Sequence, residues 1–583
     1  SNAQDKEVIF PTAIQNPYMI KISVNAGIGN YSSGAEMKFF SETQPAITDG
    51  IDCSINTSEL SIINDAKATI IPSETTASSY QLEKNIDKSY DNDVNTIYHS
   101  SLSNTTFPVV LNYRLDGATP IDYLKYTPRS SGENGRFGSV NISYNTTANS
   151  TFVDLMSFDF HHSSSPVSVY FPNQITPLNV RITVNNGQGN FASCAEMGFY
   201  TVGSSGAVNP YSNIFANTLY SALKPSVIQA DIDGMASPFY KGLAQCLFNG
   251  TYVNKYRVQD YKVYPPIYVT TGNLKVGSGY DSFENPTGIA FAQGDKVALF
   301  AQDIPSGVSV SLQVKDFSTV LGGTTSYYEI HNGLNVFQLT NSGLGYISYY
   351  NTNTALPDIK INIVSGKVNG LYHYQTSTQS DWETNLTNSA YHMIDVVGQH
   401  SHLVYKKSML RNHAPFNPAE LVSKYDLIVK NEWLVMGLYK YNLVPKNRMF
   451  SYSNNEGGWY AGELGINMDS DGGEERMADV NQLALWGIAH EFGHINQIRP
   501  DVKWIGTTEV TNNMHSTWVD YHMNPQNDGM SSLERESVVP TTGMESIEGG
   551  RINGAILNTT VNQEALQGNT NPVSYTHLRA HET

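Results

Sequence analysis

The stretch "WGIAHEFGHINQIRP", residues 486–500, holds two histidines four apart with a glutamate directly after the first. On an α-helix that spacing sets His490 and His494 on one face, one turn apart. Their ring nitrogens can then bind one Zn²⁺ at about 2.0–2.1 Å each. Glu491 is close enough to reach a water beside such an ion without binding the ion itself. A catalytic zinc commonly takes three protein ligands and keeps its fourth position open. "KWIGTTEVTNNMHSTWVDY" offers the third in Glu509, separated from His494 by fourteen residues and placed where a second helix begins, with Thr507 or Thr508 as its cap. Asn512 and Asn513 follow three and four residues later, on the same side as Glu509, where they can orient the ligands from behind. The chemistry would be peptide hydrolysis, with zinc activating water and Glu491 carrying its proton to the leaving amine. A further oxyanion donor is unassigned, with His515 and Tyr521 as candidates. In the competing reading the two histidines merely fill a core.

Several elements must position these groups. "ADVNQLALWGIAHEFGHINQ" reads as the motif helix, with Asp479 able to cap its start and Pro500 forbidding its continuation. Gly487 and Gly493 each cost that helix about 1 kcal/mol relative to alanine, which points to a backbone or a substrate approaching closely there. "NPAELVSKYDLIVKNEWLVMGL" predicts a second helix with Asn417 as N-cap, Pro418 in the first turn and Glu420 completing a capping box. Its Leu421, Tyr425, Ile428, Val429 and Trp433 form one apolar stripe for core packing. "NEGGWYAGELGIN" can supply an edge strand that pairs with an extended peptide. Trp459 and Tyr460 there either lie against a substrate sugar or belong to the core.

With 583 residues the chain is too long for one core, and about three to five domains are expected. Its abundance of Tyr and Gly, with only 15% charged residues, suits β-rich domains with many turns. A net charge of −18 without a Lys/Arg cluster argues against nucleic acid or an anionic membrane as partner. No apolar run is long enough to span a bilayer. Cys53, Cys194 and Cys246 are far apart and odd in number, so the sequence shows neither a disulfide scaffold nor a thiolate zinc site. Residues 1–3 read as a scar of tag removal, so a signal peptide can have preceded the chain. Residues 574–583 look foreign to what precedes them.

"MIKISVNAGIGNYSSGAEMKFF" (19–40) repeats as "NVRITVNNGQGNFASCAEMGFY" (179–200), so 4–45 reads as part of a β-domain whose complete relative spans 50–202. A Gly/Ser/Pro linker follows, then a helical segment over 209–262, a second β-sandwich over 263–380 and an α+β segment over 381–573 that holds the motif. "QHSHLVY" puts His400 and His402 on one strand face, more in keeping with structural histidines than with a metal pair. "DSDGGEERMADV" opens like a calcium loop but carries Val480 where an EF-hand needs Glu.

H-E-F-G-H, then fourteen residues, then Glu in "WIGTTEVTNN" resembles the enhancin-like zinc metallopeptidases, a gluzincin family that includes mucin-degrading O-glycopeptidases. "ENPTGIAFAQGDKVALF", "VVGQHSHLVY" and "WYAGELGINMD" extend the resemblance over roughly 210–560. It implies His490, His494 and Glu509 as zinc ligands, Glu491 as general base, and a catalytic domain that normally continues past this point. "IDKSYDNDVNTIYHS", "YLKYTPRSSGENGRFGSVNISY" and "CAEMGFY" resemble discoidin, or coagulation-factor type C, domains: galactose-binding-like jelly rolls often used to bind carbohydrate. That likeness implies a structural Ca²⁺ at Asp91, Asp93, Thr96 and Glu196, against the simpler reading of an acidic turn; Arg129 reads as loop support before sugar contact. The expected architecture is an N-terminal β-sandwich of jelly-roll type, a short helical linker domain, a second β-sandwich and a mixed α+β zincin-type catalytic domain. The expected function is that of a secreted or cell-surface zinc endopeptidase acting on O-glycosylated, mucin-like glycoprotein with a glycan-binding module. The alternatives are a glycan-independent metalloprotease and a non-catalytic glycan-binding adhesin.

Overall fold

The computed structural model describes residue 53 and residues 55–524, apart from 104–105, 204–209, 319–322, 455–457, 470–472 and 504–507. The partial repeat at 4–45, the scar at 1–3, the tail at 574–583, Thr507 and Asp471 of the rejected calcium loop lie outside the described residues.

Strands that alternate apolar and polar residues bury one face only, and the first described domain is built from such strands. Val109–Arg114 and Asn179–Val184 both alternate buried with half-buried positions. One antiparallel sheet runs Ala66–Lys67, Glu196–Thr201, Ile121–Thr127, Val167–Ile175; the other runs Thr76–Ala77, Val109–Arg114, Asn179–Val184, Ser139–Asn145, Val153–Asp159. Between them lies an aromatic-rich core that includes Tyr113, Tyr126, Phe137 and Phe199.

The segment expected to be helical holds three short helices, Gln229–Asp233, Pro238–Phe248 and Asn254–Arg257. Its last part is instead the strand Val258–Tyr261, which pairs with Ile359–Ile363. Cys246 on the middle helix is bonded to Cys53 with Cα atoms 5.9 Å apart, correcting the expectation of no disulfide. The two cysteines lie 193 residues apart, so no local spacing announces the bond. Cys194 is free and buried.

In the second sandwich, Val258–Tyr261, Ile359–Ile363, Lys296–Gln302 and Gly333–Gln338 face a five-stranded sheet ordered Thr325–Glu329, Ser311–Lys315, Gly343–Ser348, Pro286–Phe291, Lys367–Val368. Pro286–Phe291 and Ser311–Lys315 are buried at every position. The reason is a further core, in which Phe283, Phe317 and Tyr346 meet Met393, Val404 and Phe450 of the next domain.

That domain carries a six-stranded mixed sheet ordered Leu371–His373, Met393–Val397, Ser401–Lys406, Met449–Asn454, Gly465–Asp469, Tyr460–Gly462. Leu371–His373 falls inside the segment assigned from sequence to the sandwich, yet it pairs in parallel with Met393–Val397. The helix Pro418–Val435 buries its whole stripe of Leu421, Tyr425, Ile428, Val429 and Trp433. Asn417 precedes it but makes no side-chain capping bond. Its backbone (φ −138°, ψ 45°) is not the extended conformation that aims a cap side chain at the first-turn N–H groups, so the expected capping box does not form.

Candidate metal centre

The motif lies on the helix Leu485–Asn496, and Glu509 on the one-turn helix Thr508–Thr511 that leads into Asn513–Met523. Asp479 does not cap the motif helix. Its carboxylate accepts hydrogen bonds from the Asn481 main chain and the Gln482 side chain, a local turn that leaves five residues between Asp479 and the helix. Gln497, just past the helix end, donates to Thr508 O and Thr511 Oγ1, each at 2.8 Å. Those bonds tie the turn bearing Glu509 to the helix bearing both histidines.

Glu509 Oε2 lies 3.2 Å from His490 Nε2 and 3.3 Å from His494 Nε2. Two donors bound tetrahedrally at about 2.0–2.1 Å to one zinc are about 3.3–3.4 Å apart, so the two contacts match a shared ion. The three donor atoms lie within 4.8 Å of one another, and no other trio of His, Cys, Asp or Glu does so among the described residues. Asn513 Oδ1 accepts from His490 Nδ1 at 2.8 Å, fixing the tautomer whose Nε2 would be free to bind an ion. Asn512 is placed differently. Its buried amide nitrogen lies 3.0 Å from Nε2 of both histidines and 3.2 Å from His490 Nδ1, which sets it over the His490 ring beside the two ligand nitrogens. Burial holds His494 below the usual imidazole range against the pull of Glu509, and the neutral ring is the form that binds a metal.

Glu491 is only 8% exposed. Burial, aided by the like charge of Glu509 and opposed by the Ala461 N–H, pushes its carboxyl up to about 7. A carboxylate poised there can both take and return a proton near neutral pH.

Both motif-helix glycines have a neighbour that explains them. A Cβ at Gly493 would meet Asn512 O at 3.0 Å and His515 Cβ at 3.1 Å, and one at Gly487 would meet the Trp459 ring at 2.9 Å. Trp459 is half-buried against the first turn of the motif helix, with the Arg476 guanidinium 5.4 Å from its ring centroid. Tyr460 is half-buried at the start of the edge strand. Of the oxyanion candidates, His515 is buried against Gly493 and Glu432, while Tyr521 is exposed beside His522.

Sequence reasoning missed the buried groups behind the centre. Asn496, on the last turn of the motif helix, donates to Glu432 Oε2 at 2.6 Å and accepts from Tyr280 OH at 3.0 Å; His515 Nδ1 is 3.8 Å from the same Glu432 oxygen. Burial raises Glu432 well above the carboxylate range and holds His515 down to about 4. The available signal was a glutamate lying on the apolar stripe, between Val429 and Trp433. His402 likewise gathers carboxylates that lie apart in sequence: Asp281 Oδ2 at 2.8 Å and Asp395 Oδ1 at 3.0 Å, with Tyr346 OH on Asp395 at 2.8 Å. His400 packs on Trp433, so the two histidines of that strand form no metal pair.

In the jelly roll, Asp91, Asp93 and Thr96 share one loop and Glu196 opens the strand beside it, but the three carboxylates do not bring an oxygen each within mutual reach. Thr96 Oγ1 donates to Asp91 Oδ2 at 2.7 Å, Asp93 Oδ1 accepts from the Asn95 main chain, and Glu196 Oε1 accepts from the Asn92 main chain. Arg129 donates to the Ser131 and Asn134 carbonyls, as loop support.

Residues 366–565 match the family model described as peptidase M60, enhancin and enhancin-like, and residues 74–197 match that of the F5/8 type C domain. The two matched segments are thus similar to the enhancin-like peptidases and to discoidin-type domains respectively. No curated protein matches it. Among solved structures it resembles a metallopeptidase from Bacteroides thetaiotaomicron (TM-score 0.49, 21% identity, 54% of this chain and 55% of that one). It also resembles the CBM32-1, CBM32-2 and M60 catalytic domains of ZmpB from Clostridium perfringens (TM-score 0.44, 17% identity, 80% of this chain and 54% of that one). A third is the family 32 carbohydrate-binding module of NanJ from Clostridium perfringens in complex with galactose (TM-score 0.22, 26% identity, 23% of this chain and all of that one). The chain spans about half the length of the first two.

Proposed function

We propose that the chain is a zinc metalloendopeptidase that hydrolyses peptide bonds in O-glycosylated, mucin-like glycoproteins and uses its discoidin-type domain to hold glycan. The observation that carries the reading is the approach of His490, His494 and Glu509 to distances suited to one ion, with a buried Glu491 beside them. Zinc held by those three residues would polarise a carbonyl and acidify water. Glu491 takes the proton on its carboxylate and delivers it to the leaving nitrogen. The Tyr460–Gly462 strand ends the six-stranded sheet, so its outer side is a rim along which an extended peptide can pair. Trp459, at the helix side of that rim, and Tyr460 are the aromatic groups assigned in this reading to a substrate sugar. A glycan held by the jelly roll raises the local concentration of substrate without a new contact at the scissile bond. The Cys53–Cys246 disulfide supports an oxidising, secreted or cell-surface setting.

The test is digestion of defined O-glycopeptides and their deglycosylated counterparts, with products read by mass spectrometry. Cleavage should require both the O-glycan and Glu491, and the Glu491→Ala variant should keep its zinc. Equal cleavage of the bare peptides would select a glycan-independent protease. Absence of both zinc and cleavage in the wild type would leave a glycan-binding adhesin.

A further inference from the structure

The sequence resemblance places a calcium ion among Asp91, Asp93, Thr96 and Glu196, and the structure does not fit one. Calcium takes six to eight oxygens at about 2.3–2.6 Å. Here Asp91, Asp93 and Glu196 do not bring three ligand atoms within mutual reach, and both oxygens of Asp91 and Glu196 and one of Asp93 are already engaged by donors. Asp91 accepts from Thr96, from the Asp93 main chain at 3.1 Å and from Lys88 Nζ at 3.2 Å. Asp93 Oδ1 accepts both the main-chain and the side-chain nitrogens of Asn95, at 3.0 and 2.9 Å. Glu196 spends one oxygen on the Asn92 N–H at 2.7 Å and the other on Lys67 Nζ at 3.4 Å.

Lys67 also donates to Asn92 Oδ1 at 2.8 Å. Its ammonium therefore joins the loop to the carboxylate across from it, the task a bound ion would perform. The reach follows from the fold. Lys67 ends the edge strand Ala66–Lys67, which pairs antiparallel with Glu196–Thr201 in the register Lys67↔Tyr200. Asn92 is held in the left-handed region (φ 64°), so that its N–H and its side-chain oxygen engage the Glu196–Lys67 pair together. Two of the three carboxylates already have an ammonium partner, Glu196 in Lys67 and Asp91 in Lys88. A dication reaching Glu196 would have to expel Lys67.

We propose that Lys67 is the resident cation of this loop and that the jelly roll of this chain holds without calcium. The measurement is scanning calorimetry of the full chain in EGTA and in millimolar Ca²⁺. An ion held at a hundred times its Kd would raise the jelly-roll transition by about 5–10 °C. The wild-type transition should not move. Lys67→Met should lower it by about 2–4 °C in EGTA, and Lys67→Arg, which keeps the charge, should restore it. Calorimetric titration of the wild type with Ca²⁺ decides the matter even if Lys67→Met fails to fold. One equivalent bound, and lost in Glu196→Gln, overturns the proposal, as does a wild-type transition that rises with Ca²⁺. No binding, or binding indifferent to Glu196→Gln, upholds it.

Discussion

At the scale of single residues, the centre works through partners that fix rings and protons rather than through its ligands alone. Asn513 accepts the Nδ1 proton of His490 and also donates to Glu509 O at 2.9 Å, so one side chain steadies two ligand residues. Asn513→Ala should lower zinc affinity by about 10–100-fold, measured by competition with a chromophoric chelator. Unchanged affinity would remove Asn513 from that role. His490, Glu491, His494 and Glu509 were legible because helix geometry converts a spacing of four into a shared face. Glu432 and His515 were not, because what makes them unusual is burial between two helices distant in sequence. Asn512 was only half legible. Its side of the helix follows from spacing, but its position over the His490 ring depends on how two helices meet.

At the scale of elements, the motif helix accepts weak helix formers at Gly487 and Gly493 so that neighbours can touch its backbone. At Gly493 the neighbour is the start of Asn513–Met523, whose Asn512 carbonyl cannot swing away as a side chain tip could. Gly493→Ala gains about 1 kcal/mol of helix propensity but forces two packed helices apart, a change that commonly costs about 1–3 kcal/mol. The expected result is a lower melting temperature and reduced zinc occupancy, read by calorimetry and metal analysis of the same preparation. A variant that gained stability and kept its zinc would show the contact to be slack. The helices themselves were legible from their apolar stripes. Their starts were not, because both proposed caps, Asp479 and Asn417, lack the geometry to reach first-turn N–H groups, and a local turn claimed Asp479 first. The strand Val258–Tyr261 was hidden among helical signals because its partner lies about a hundred residues downstream.

At the scale of the whole molecule, half-buried and buried polar groups join the domains. Glu329 of the second sandwich accepts from Ser168 and Tyr170 of the jelly roll, and His331 meets Asp65, which also accepts from Tyr123. His402 does the same between the sandwich and the catalytic sheet, fully buried between Asp281 and Asp395. Burial alone would lower His402, but the two carboxylates raise it to about 9. A group raised in the folded state stabilises fully below its unfolded value of about 6.5, and that stability is lost as pH climbs through 9. The melting temperature should therefore fall between those values, by up to about 3 kcal/mol of stability, and His402→Asn should flatten that slope. A wild-type profile flat over this window would mean the histidine is neutral in the fold. The order of domains was readable from composition and repeats, whereas these junctions were not, since each unites residues more than a hundred positions apart.

The Cys53–Cys246 bond encloses the entire jelly roll within one covalent loop. A proteinase that nicked an exposed turn of that module would therefore release no fragment. Both pieces would stay joined until a reductant parted them, so the module could be cut once and still remain attached to the rest of the chain.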